Sequence, residues 1–163
     1  MITINKDGYV FSVDAEKTRE YYSNYTYCGC PDCRNFYLQI EKYNPKLTEF
    51  LSEFCVDILH PDELPAIYVD NQVNYLFVGY SVTGKMHNNN NYETTIDNLH
   101  ITITKGDNPF DWFPNEQTDE YFLISVSSIT LPWMLDEPFP ESESAPLLKR
   151  LTDKLKQFFK KQR

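Results

Sequence analysis

The chain of 163 residues carries a formal net charge of −9, with 41% hydrophobic and 24% charged residues. That length and apolar content suit one domain with its own core, and four cysteines are too few for a disulfide scaffold. The acidic balance excludes nucleic acid as the expected partner, because phosphate binding needs a basic footprint, and no apolar run approaches the roughly 20 residues of a membrane span.

Residues 2–13 predict one or two short strands turning at Asp7-Gly8. This start has no basic region followed by an apolar block, so it does not read as a signal peptide. A cytoplasmic address with reduced thiols is expected. Asp14 predicts the cap of a short helix through Tyr22, followed by an irregular Tyr-rich stretch. Pro31 suits a first helical turn, and Cys33, Phe36, Tyr37, Ile40 and Tyr43 mark one apolar stripe. Asn44-Pro45 ends that helix and opens a second, with Leu47, Phe50, Leu51, Phe54 and Cys55 on its inner face. Helices joined so tightly predict an antiparallel hairpin.

Residues 57–65 read as a loop, and 66–69 and 73–83 as strands. Asn88 to Asn91 is a polar loop, 99–103 and 122–126 alternate as half-buried strands, and 106–120 is a long connection. A Pro- and Glu-rich linker, 136–146, precedes a basic amphipathic helix over 147–163, which is expected to dock on the acidic body. The whole reads as a single α+β domain over 1–163: a mainly helical part to residue 65, then an antiparallel sheet or sandwich over 66–135. The N-terminal helical hairpin and C-terminal amphipathic helix complete it.

The densest chemistry is Cys28-Gly-Cys30-Pro-Asp-Cys33. If both predicted helices run unbroken, Cys33 and Cys55 each lie 11 residues from Asn44. At about 1.5 Å rise per residue both then sit about 16 Å from the bend. Cys55 is thereby expected beside the other three, giving a four-thiolate zinc site of Cys28, Cys30, Cys33 and Cys55, with His60 as a spare ligand. Three other readings stand beside it. One is buried structural cysteine. Another is a catalytic thiol served by His60, His87 or His100. The third is redox chemistry, because Cys30-Pro-Asp-Cys33 resembles the C-P-x-C of glutaredoxins and other thioredoxin-like proteins, and Leu64 to Tyr68 resembles the Pro-then-strand segment facing such a site. That fold needs a strand leading into the motif, where this chain has Ser23 to Gly29.

Cys30 to Phe36 (C-x-x-C-R-N-F) and Leu131 to Pro138 (L-P-W-x-L-D-E-P) occur in an order that resembles a group of uncharacterised bacterial proteins. The resemblance implies a bacterial, intracellular, single-domain protein and lends no catalytic residue. Arg34 and Asn35 are candidates for holding backbone carbonyls or a carboxylate such as Asp136 or Glu137, with an anionic ligand as the alternative for Arg34.

Between Lys105 and Lys149 there is no basic residue but there are nine acids, whereas residues 145–163 carry seven basic residues and one acid. Trp112, Phe113, Trp133, Asp136 and Glu137 are therefore candidates for a face that docks a basic protein, the alternative being a solvated acidic surface. No phosphate loop, HExxH pair or GxSxG elbow is present. The leading expectation is a non-enzymatic binding protein that neutralises a basic partner, as immunity proteins do. The alternative is a zinc-stabilised or thiol-redox module, and zinc is the one cofactor the cysteines admit.

Overall fold

The computed structural model describes residues 1–24, 26–109 and 112–140. The expected C-terminal helix and the linker beyond residue 140 lie outside the described residues. The elements are β1 (Ile2–Lys6), β2 (Tyr9–Val13), α1 (Ala15–Ser23), α2 (Pro31–Tyr37), α3 (Ile40–Tyr43), α4 (Pro45–Glu53), β3 (Ala66–Val69), β4 (Gln72–Tyr75), β5 (Val78–Met86), β6 (Tyr92–Ile96), β7 (Leu99–Lys105), β8 (Tyr121–Ser127) and β9 (Ile129–Pro132). They form a six-stranded sheet ordered β1-β2-β5-β8-β7-β6 and a three-stranded sheet ordered β3-β4-β9. Every pairing is antiparallel, as the α+β reading required. No helix among the described residues is long and apolar enough to cross a membrane.

Local chemistry sets the N-terminal elements. Asp7 and Gly8 turn the first hairpin with φ of +49° and +83°, the left-handed conformation that such turns need and that Asp and Gly tolerate. The Asp14 carboxylate accepts the Lys17 amide at 3.2 Å and caps α1. On the large sheet, alternate residues of β5, β8 and β7 (Val78, Tyr80 and Val82; Phe122, Ile124 and Val126; Ile101 and Ile103) face one way into the core. Phe54, just past α4, meets Phe11 and Phe122 there, with ring centroids 5.5–6.0 Å apart. Phe36 of α2 meets Tyr75 of the small sheet at 5.4 Å, so the helical segment packs on both sheets.

On the opposite face of the large sheet, β5 lies under Phe113 and Gln117 of the connection that leads into β8. Phe113 covers Gly79, where a side-chain Cβ would lie 2.6 Å from the ring. This cover is why β5 is buried on both faces except at Lys85.

Two long predicted elements divide. The 73–83 strand is β4 and β5, which belong to different sheets. The chain changes sheet at Leu76-Phe77, where the Leu76 amide bonds the Pro65 carbonyl at 2.8 Å. The 31–43 helix breaks at Leu38-Gln39 into α2 and α3, because the Gln39 amide hydrogen-bonds Asn35 and the Pro132 carbonyl at 3.0–3.1 Å. The strand β6 is an element that the sequence reading did not contain.

Candidate functional site

The Sγ atoms of Cys28, Cys30 and Cys33 all lie within 4.8 Å of one another. Spacing brings them together. Cys30 is the extended N-cap residue of α2, Pro31 opens the helix, and Cys33 comes up one turn later while Cys28 folds back over the cap. Cys33 is buried, and Cys28 and Cys30 are exposed.

Their acidities differ. The Cys30 backbone N–H, followed by the thiols of Cys30 and Cys33, holds Cys28 below its ordinary value. Burial pushes Cys33 up, and its hydrogen bonds to Cys30 and Cys28 add to the rise. Cys28 is therefore the first of the pair to give up its proton and Cys33 the last.

The loop is tied down from outside. Arg34 Nε donates to the Gly29 carbonyl at 3.0 Å, and Nη2 reaches both oxygens of Glu137 at 2.6 and 2.8 Å. Glu137 is anchored in turn, since Trp133 Nε1 donates to its carbonyl at 2.8 Å. Trp133, Tyr68 and Phe139 form an edge-to-face trio beside it. Asn35 is fully buried. Its amide donates to the Pro132 carbonyl at 3.1 Å, and its oxygen accepts the Met134 amide at 2.9 Å. Below the loop, the Tyr68 phenol donates to the Asp32 carboxylate and the Tyr75 phenol to the Asp32 carbonyl. Burial, followed by the Asp32 contact, raises the Tyr68 phenol above its ordinary value. The two sequence motifs, about 100 residues apart, thus form one structural unit.

Cys55 is not part of it. Among the described residues the close thiol set is three, so the expected four-cysteine centre is corrected to Cys28, Cys30 and Cys33. The broken helix removes the premise that carried Cys55 to the others. Cys55 instead has φ +63° at the end of α4 and lines a separate cleft with Tyr27, Asp57 and His60. His60 Nδ1 lies there 2.9 Å from an Asp57 carboxylate oxygen, and His60 is not among the residues whose ligand atoms gather within 4.8 Å, so it is no spare ligand for the cluster.

The proposed docking face is likewise divided. Phe113 is a buried residue, 4% exposed, and Trp112 beside it is exposed over the large sheet. Trp133, Asp136 and Glu137 follow β9 of the small sheet. Asp119, Glu120 and Glu137 are each paired with a cation of the chain itself, respectively Lys17, Lys85 and Arg34.

The donor set fits a thiophilic metal. With a zinc–sulfur distance of about 2.3 Å, tetrahedral ligands stand about 3.8 Å apart, inside the spread of these sulfurs. Residues 26–29, which lead into the motif, are irregular rather than the strand a thioredoxin-like site requires. Comparison with protein-family models, with curated proteins and with solved structures returns no match.

Proposed function

We propose that this is a non-enzymatic binding protein of the bacterial cytoplasm built around a thiolate metal centre, in which Cys28, Cys30 and Cys33 hold zinc. The observation that carries the reading is the convergence of three sulfurs on a loop that Arg34 and Glu137 hold in place. Three protein thiolates leave a fourth coordination position for water or a group from another molecule. The exposure of Cys28 and Cys30 puts that position at the surface, next to the Trp133–Phe139–Tyr68 trio. Binding requires the thiolate forms, so protonation competes with metal, and Cys33 is the costliest of the sulfurs to ionise. This reading is better supported than an acidic docking face. The acids of that face are partly neutralised within the molecule, and its aromatic residues are divided, Trp112 and Phe113 lying against the large sheet and Trp133 just past β9 of the small one.

The test is metal content by mass spectrometry of reduced protein from zinc-supplemented cells, with cobalt substitution to reveal sulfur-to-metal absorption. About one metal per chain, lost in Cys33→Ser and retained in Cys55→Ser, supports the centre. Metal-free protein that takes up neither zinc nor cobalt would refute it.

A further inference from the structure

The three sulfurs at the start of α2 are also placed for a reaction that needs no metal. Cys28 and Cys30 are exposed and Cys33 is buried, so a small oxidant in solvent meets two of the sulfurs and not the third. All three lie within 4.8 Å of one another. Cys28 makes the central contacts: its sulfur accepts the Cys30 backbone N–H and shares hydrogen bonds with the thiols of Cys30 and Cys33. An exposed sulfur thus stands in contact with a buried one, with no other side chain needed to bring them together.

A disulfide holds its sulfurs about 2.0 Å apart, so sulfurs up to 4.8 Å apart must close by up to about 3 Å. The backbone decides which of them moves. Cys33 sits within α2, and Cys30 is tied to the same helix, since its carbonyl accepts the Arg34 amide at 3.0 Å and Pro31 follows it with a fixed φ. Cys28 lies outside the helix on the irregular stretch 26–29. Gly29 beside it is unobstructed: a Cβ there would meet no atom within 4 Å. The tie on this stretch is one exposed bond, from Arg34 Nε to the Gly29 carbonyl. Cys28 is therefore the sulfur free to swing onto Cys33.

We propose that this corner is a hydroperoxide-reactive site, in which Cys28 takes up the oxidising equivalent and Cys33 resolves it as a disulfide. The Cys28 thiolate attacks one peroxide oxygen. The O–O bond breaks, hydroxide leaves and takes up a proton as water, and Cys28 is left as a sulfenic acid. The Cys33 sulfur, giving up its proton, then attacks the Cys28 sulfur. The S–O bond breaks, and the departing hydroxide takes that proton as a second water. Two thiols and one peroxide become one disulfide and two waters, the two electrons passing from sulfur to the peroxide oxygens. Burial of Cys33 keeps it from the oxidant until Cys28 has reacted. The consequence for metal rests on the zinc reading above: a disulfide leaves one of three thiolates, too few to hold the ion, so oxidation releases it.

Hydrogen peroxide added to the reduced, metal-free full chain is the probe, with thiols counted under denaturant. The four free thiols should fall to two within one chain, and a thiol reductant should restore all four, as it would not from sulfinic acid. Cys30→Ser and Cys55→Ser should still lose two thiols, whereas Cys28→Ser should slow the loss about tenfold or more. Cys28 and Cys30 are exposed, so their replacement by serine leaves the core intact. The proposal is overturned by four thiols that survive excess peroxide, by a loss that reductant does not reverse, by a loss that Cys30→Ser abolishes, or by full speed in Cys28→Ser. Zinc-loaded protein should release its metal as the disulfide forms. A chain that binds no zinc yet closes the disulfide refutes the metal centre alone. A chain that holds zinc but keeps four thiols under peroxide, loaded and metal-free, refutes this proposal alone.

Discussion

Asp62→Asn is expected to stabilise the protein at neutral pH. In the folded chain the Asp62 carboxyl is raised from 3.8 to about 6, chiefly by burial. Between those values the native carboxyl holds a proton that the unfolded chain has released. The native state is therefore penalised progressively as pH rises through about 4 to 6, and the penalty is constant above that window. A shift of about 2 units corresponds to about 3 kcal/mol as an upper bound. The amide of asparagine is itself costly to bury, and the site is only partly shielded, so a gain of about 1–2 kcal/mol is the working figure. Asparagine keeps an oxygen for the Tyr21 hydroxyl, so the contact that positions the side chain survives. For a chain of this size the gain raises Tm by about 2–8 °C. Urea melts of both proteins at pH 4.0 and 7.5 supply the test: the two should nearly coincide at pH 4.0 and separate at pH 7.5. A variant that is less stable at pH 7.5, or a gap equal at both pH values, would show that the buried carboxylate does not carry the penalty.

Asn35→Ala leaves the Met134 amide without its acceptor, while the Pro132 carbonyl keeps the Gln39 amide. A loss of about 1–3 kcal/mol in urea-melt stability is expected, and a change under about 0.5 kcal/mol would remove Asn35 as the bond between α2 and the end of β9. Gly79→Ala drives a methyl into the Phe113 ring, costing about 1–3 kcal/mol in the same assay; Phe113→Leu in the same chain should recover part of it, and no recovery would mean that the strain lies elsewhere. Glu137→Gln removes the charge that holds the exposed Arg34 fork, so global stability should move by less than about 1 kcal/mol. Alkylation of Cys28 and Cys30 in metal-free protein should nevertheless quicken as their loop loosens, and unchanged alkylation rates would count against the Arg34 clamp.

The elements that were legible in the sequence are those made by neighbouring residues. The Asp7-Gly8 turn, the Asp14 cap, Pro31 at the start of α2 and the alternation in β7 and β8 each follow from conformations within a few residues. The same holds for the trio of cysteines, which one helical turn suffices to bring together. The division of the 73–83 strand left a signal: large apolar residues alternate at odd positions in β4 (Val73 and Tyr75), then at even positions in β5 (Val78, Tyr80 and Val82), a slip of one at the sheet change. The break at Gln39 left none, because glutamine is an ordinary helical residue. It stops the helix here only because its amide finds Asn35 and a carbonyl 93 residues away.

Sequence alone determined which segments curl, turn or alternate, and that three thiols would share a corner. The tertiary structure decided which distant partners complete each site: Glu137 for Arg34, Tyr21 for Asp62, and His60 rather than the other cysteines as the companion of Cys55 in its cleft. Local conformation is set by short-range sterics and hydrogen bonds that each residue carries with it. Pairings across 40 or 100 positions depend on the path of the whole chain, and that path is fixed only when both sheets close over their common core.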